Sequence, residues 1–179
     1  RLGNNYGEYN MSKKRLMTFE YDNMPIMSPV IIDTKGHGLI RALLCWVITS
    51  RKWKIEDDWL YYIDGVQHVV ESGFVFDGAS VPKYFRSWLS PMGILLIPGL
   101  VHDWGYYYAS LTVVGVDSEP NVNVDKTQKE MDIIFRDIAI QVNGFRYINK
   151  VAYYVLRLCG FFAWNGHRRR EKKELDQES

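Results

Sequence analysis

The rhythm of apolar and polar positions changes about midway along the chain. Residues 16–21 alternate apolar and polar, as a half-buried strand does. Pro25 and Pro29 break the pattern that follows, and Val30, Ile31 and Ile32 read as a short apolar strand before a Lys35-Gly36 turn. Further strands are expected at 45–49, 53–55, 59–63 and 66–70. Asp64-Gly65 between the last two is a type I′ hairpin signal, because both residues tolerate positive φ. After Phe76 the spacing lengthens. Ser80 and Pro82 suit the cap and first turn of a short helix over 83–89. A second helix is expected over 94–109, with Pro98 restricting its start. A third, over 125–141, carries Met131, Ile134, Phe135, Ile138 and Val142 at three- and four-residue steps and ends at Asn143-Gly144. The last, over 147–164, is strongly apolar, and no internal repeat is visible.

A β-rich half followed by a helical half is the α+β pattern, here with two or three packed helices. The organisation expected is a flexible arm or non-native remnant over 1–15, one α+β domain over 16–164, and a charged tail over 165–179. Met11 reads as a natural start. In the tail, Arg168, Arg169, Arg170, Lys172 and Lys173 are nearly neutralised by Glu171, Glu174, Asp176 and Glu178, so a solvated helical end is favoured over a nucleic-acid arm.

Composition narrows the function classes. The 179 residues are 47% hydrophobic and 24% charged with net charge +1, which excludes a disordered chain and gives no global pull toward nucleic acid. Aromatics reach 15%, favouring an aromatic core and aromatic surfaces. With only Cys45 and Cys159, a disulfide scaffold is not expected, and two free thiols are favoured over one bridge. No signal peptide is visible, and the apolar runs at 39–49 and 151–164 are too short to span a bilayer. The expectation is a soluble intracellular protein, or one released without a signal peptide.

Candidate chemistry gathers at Val101-His102-Asp103-Trp104-Gly105-Tyr106. His102 and Tyr106 are four residues apart and share a helix face, while Asp103 is rotated about 100° away. Asp132 follows Met131 on the third expected helix, beside its apolar stripe. A carboxylate there needs a partner to offset its desolvation. Antiparallel packing of the two helices would let Asp132 accept one imidazole proton of His102 and leave the other nitrogen to take a proton from water. Asp103, aimed at a loop, suits a hard cation. The same residues also suit a purely structural bond between two helices. His68 is expected on a strand face, and Asp77 either caps a strand-to-helix turn or faces a substrate or metal.

Two resemblances converge on these residues. Asp77-Gly78-Ala79-Ser80-Val81-Pro82, then His102-Asp103-Trp104 and Tyr106, then Asp132 and Phe135 resemble an uncharacterised domain family of tailed bacteriophages, over about residues 45–164. That implies phage origin, with the host cytoplasm or the virion as location, and no set activity. His102, Asp103, Tyr106, Asp132 and Phe135 also resemble phospholipase A2, which carries His-Asp-x-x-Tyr on one helix and Asp-x-x-Phe on the next. This second resemblance implies His102 as general base, Asp132 as its orienter, Tyr106 in the supporting network and Asp103 as a calcium ligand. The glycine-rich calcium loop and the disulfides of secreted members have no counterpart here.

Three functions follow as expectations. The first is a small phospholipase A2-like hydrolase of a lipid or other ester, working through a His102–Asp132 dyad. The second is a non-enzymatic virion or assembly protein that meets other phage proteins and uses the same residues structurally. Metal-dependent phosphohydrolase chemistry ranks last, because only His37 and His68 lie upstream as further histidine ligands.

Overall fold

The computed structural model describes residues 17–30, 52–76, 95–117 and 119–178. Several expectations fall outside these residues: the arm at 1–15, the strand at 45–49, the helix at 83–89, the Asp77–Pro82 hexapeptide, His37, Cys45 and the side chain of Cys159. What is described is α+β: antiparallel strands in two sheets and, in the C-terminal half, packed helices.

The strands are β1 (Phe19–Glu20), β2 (Met27–Pro29), β3 (Trp53–Ile55), β4 (Trp59–Ile63), β5 (Val66–Val70), β6 (Val75–Phe76), β7 (Ser110–Val113) and β8 (Val122–Asp125). The helices are α1 (Leu96–Tyr108), α2 (Gln128–Asn143) and α3 (Arg146–Glu178). One sheet has the order β1-β4-β5-β7-β8 and the other β2-β3-β6. The β4–β5 hairpin turns at Asp64 and Gly65, whose φ of 50° and 79° are those of the expected type I′ turn. Its register pairs Trp59 with Val70 and Ile63 with Val66. Asp64 also accepts hydrogen bonds from the Thr18 amide and hydroxyl, which fixes β1 beside β4.

Four boundaries differ from the sequence expectation, each for a local reason. Pro29, read from the sequence as a breaker, lies inside the strand at Met27–Pro29, while Ile31 and Ile32 of the strand expected at 30–32 fall outside the described residues. Pro29 does not break β2, because β2 is the edge of the described sheet and Pro29 needs no N–H for the ladder to β3. Helix α2 begins at Gln128 rather than Asp125, which ends β8 opposite Ser110. Thr127 and Glu130 form a reciprocal capping box that sets the start. The 110–124 stretch, assigned no element from sequence, forms the β7–β8 pair together with Asp125. Finally, α3 does not end at Trp164 but runs on through the charged tail to Glu178. The expected C-cap at Asn143-Gly144 is present, with Gly144 at φ 73° donating its N–H to Ile140.

The core lies between the five-stranded sheet and the helices. Trp59, Tyr61 and Val70 of the sheet meet Leu100, Val101 and Trp104 of α1 and Met131 and Ile138 of α2 in one apolar cluster. A smaller cluster of Leu95, Phe135, Ala139, Ala152 and Leu156 joins all three helices. At Gly160 the α3 backbone passes so close to α1 that an added Cβ would lie 2.5 Å from the Tyr106 hydroxyl oxygen. Gly160→Ala is therefore expected to destabilise the protein. Overpacking costs about 1 to 3 kcal/mol, against about 1 kcal/mol gained in helix propensity. Urea unfolding checks this, and a variant as stable as the parent would show that Tyr106 yields without cost. Among the described residues no helix is long and apolar enough to cross a membrane.

Candidate active site

The site grows from the crossing of α1 with α2. Amphipathic spacing turns His102 and Tyr106 of α1 toward α2, and the stripe of Met131, Phe135 and Ile138 turns α2 back toward α1. Asp132, next to Met131, is carried inward with that stripe and is fully buried. It meets His102, as the spacing predicts, and also Tyr106. His102 Nε2 lies 3.1 Å from Asp132 Oδ1. The Tyr106 hydroxyl donates to the same oxygen at 2.5 Å. Asp132 Oδ2 accepts from Arg157 Nη1 of α3 at 2.9 Å. One carboxylate thus ties three helices.

A carboxylate only accepts, so His102 Nε2 carries the proton in this bond. Nδ1 is the remaining nitrogen. Among the described residues it is buried without a direct hydrogen-bond partner, and the Asp103 carboxylate oxygen Oδ1 lies 3.8 Å away. The ring is held edge-on to Phe135 at 5.4 Å and against Tyr106 at 4.0 Å, so its orientation is fixed on both faces.

Burial works against charge on His102, but the carboxylates of Asp103 and Asp132 outweigh it and hold its pKa above the ordinary 6.5. Burial likewise disfavours charge on Asp132, yet the bonds from His102, Tyr106 and Arg157 keep its pKa below the ordinary 3.8. Burial and the bond to Asp132 push the Tyr106 phenol well upward, so it stays a neutral donor.

His102 lines a cleft of about 260 Å³ between β6, α1, α3 and Lys52, which precedes β3. Its wall includes apolar Phe74, Phe76 and Leu156, and its polar groups include Asp103, Lys52, His167 and Arg170. Tyr107 packs edge-on to His167 at 5.3 Å, and its carbonyl accepts from Arg168, so the α3 extension closes one side. The described groups do not fit calcium. That ion takes about six to eight oxygen ligands. Asp103 is the one carboxylate among the described lining residues, and no three His, Cys, Asp or Glu residues among those described come together around a metal.

Arg157 is the residue that sequence reasoning missed. A lone arginine inside the apolar 147–164 helix carries its own signal, since an ionised group there needs a partner. Lys52, His167 and Arg170 had no comparable mark, being separated from His102 by long stretches of chain. His68 sits elsewhere: it is on β5, stacked on Tyr61 at 5.3 Å with Nδ1 2.9 Å from the Val66 carbonyl, and burial lowers its pKa.

A family model described as a protein of unknown function (DUF1353) matches residues 53–156, more than half of the chain. The matched span holds His102, Asp103, Tyr106 and Asp132 and stops one residue short of Arg157. No curated protein and no solved structure matches the chain.

Proposed function

We propose, from the premise that the chain belongs to the DUF1353 family, that it is a small hydrolase of a lipid or other ester in which His102 and Asp132 form the working dyad. The observation that carries this reading is the division of labour on one ring. Nε2 is engaged by a buried, thrice-bonded carboxylate, while Nδ1 has no direct hydrogen-bond partner among the described residues and belongs to a residue that lines a cleft. The local likeness to phospholipase A2 at His102, Asp103, Tyr106, Asp132 and Phe135 points the same way.

In this reaction neutral His102 takes a proton at Nδ1 from a water molecule whose oxygen attacks the ester carbonyl carbon. The imidazolium then gives that proton to the departing alkoxide as the C–O bond breaks, so ester and water become acid and alcohol. Asp132 holds the tautomer and stabilises the imidazolium, as the third member of a triad does. Tyr106 and Arg157 keep Asp132 in place and ionised.

The test is hydrolysis of a panel of soluble esters and a phospholipid, followed across pH. His102 must be neutral to act, and its pKa lies above 6.5. The rate kcat/KM is therefore expected to climb with pH on an acid limb whose apparent pKa exceeds 6.5. A limb at or below that value, or no turnover of any ester, counts against the dyad.

A second reading has its own support. The outward face of α3 bears Tyr147, Val151, Tyr154, Leu158 and Phe161, all exposed and spaced by four and three residues as in a helix-pairing seam. A virion or assembly protein of a phage would use such a face for other phage proteins, with Asp132 serving to clamp three helices. Wild type inactive on every ester, together with a seam buried in a larger particle, would favour it.

A further inference from the structure

The cleft beside His102 has a charge pattern that the dyad does not explain. Proton transfer at Nδ1 does not itself call on the charged groups that share the cleft. Of the described groups lining this cleft, Lys52 and Arg170 are cations from distant points of the sequence, and His167 adds an imidazole. Asp103 is the only opposing charge among those described. The helix that supplies Arg170 bears no acidic residue from Arg146 to Arg170. The His167 imidazole registers this field: burial, then the charges of Arg170 and Arg168, lower its pKa. A concave wall focuses such a potential on whatever enters.

We propose that this cleft binds an oxyanion of the phosphate class, held by Lys52 and Arg170 with His167, and that the substrate presents this group beside the His102 ring. The assignment deepens the hydrolase reading and rests on it for the use to which the anion is put; the binding itself does not depend on turnover. An arginine fork matches phosphate oxygens and a lysine adds a point charge, while Leu156 and Phe76 leave an apolar wall for the remainder of the molecule. At about 260 Å³ the space falls just short of the roughly 300 Å³ where pockets for drug-sized ligands begin, so the anionic end of a molecule fits rather than its whole length.

The probe is inorganic phosphate, titrated while the His102 and His167 ring signals are followed by NMR. Saturable shifts in both rings are expected, and the double variant Lys52→Met, Arg170→Gln is expected to weaken binding at least tenfold. Both side chains are exposed, so thermal unfolding of the variant should match the parent. Lys54→Met serves as control, since Lys54 pairs with Glu56 outside the cleft and its loss should leave phosphate binding unchanged. Competition by glycerol phosphate but not by phosphatidylglycerol vesicles identifies a soluble ligand; competition by the vesicles identifies a lipid headgroup, and either supports the site. No saturable response, or equal binding by the double variant and the parent, overturns it. Ester turnover without phosphate binding removes the anion site and spares the dyad. Phosphate binding without turnover of any ester does the reverse.

Discussion

Replacing Asp132 is expected to produce the largest loss of stability of any single substitution in the described helices. Its carboxylate is fully buried and receives His102, Tyr106 and Arg157. Asp132→Ala would leave an arginine, an imidazole and a phenol without their acceptor and a cavity between α1 and α2. Breaking a buried pair by removing one partner costs about 3 to 5 kcal/mol, which for a chain of this size is roughly 6 to 20 °C in Tm. Asp132→Asn separates charge from volume: it fills the same space but turns an amide N–H toward groups that also donate. A loss of at least half that of alanine is expected, and an Asn variant within about 0.5 kcal/mol of the parent would show that the charge does little. Only thermal and urea unfolding are needed, so the result stands whether or not the protein turns over a substrate.

The same linkage has a pH signature with opposite signs at its two ends. Asp132 has a folded pKa below 3.8, so its contribution is complete above that value and is lost as pH falls through the folded one. His102 has a folded pKa above 6.5, so its contribution is complete below that value and is lost as pH rises through the folded one. The bond between them is strongest in the window between, and this is where the Asp132 variants should differ most from the parent.

The second large effect concerns activity. His102→Gln keeps an amide N–H for Asp132 and much of the ring's volume, but has no group that titrates near neutral pH. If His102 is the base, ester hydrolysis falls by about 10² to 10⁴, while stability falls by no more than the roughly 1 to 3 kcal/mol of an imperfectly made buried bond. The discriminating measurement is both quantities on one preparation. A variant that keeps its rate while losing several degrees in Tm would make His102 a clamp between helices and leave the assembly reading in its place.

Local pattern reached a long way in this protein. The Asp64-Gly65 turn, the three-four spacing of Met131, Phe135 and Ile138, and the Asn143-Gly144 stop each depend on a few adjacent residues, and each appears where its chemistry puts it. His102 and Asp132 were legible as a pair for a related reason: a carboxylate on an apolar stripe must find a donor, and the neighbouring helix offers one. Arg157 obeys the same rule from α3, but its choice of Asp132 depended on how the third helix crosses the other two.

What the tertiary structure alone decided are the long-range pairings. The short β7 and β8 strands gain their stability from β5 and from each other rather than from propensity, so 110–124 shows no clear period. Pro29 is acceptable only because β2 lies at the edge of the described sheet, which no local pattern specifies. The cleft is the furthest case. Lys52 precedes β3, His102 lies on α1 and Arg170 follows more than a hundred residues after Lys52, so their meeting is a consequence of packing. Apolar periodicity determines which face of an element turns inward. Which cations then share one concave wall is settled by how those faces stack, and spacing along the chain carries no trace of it.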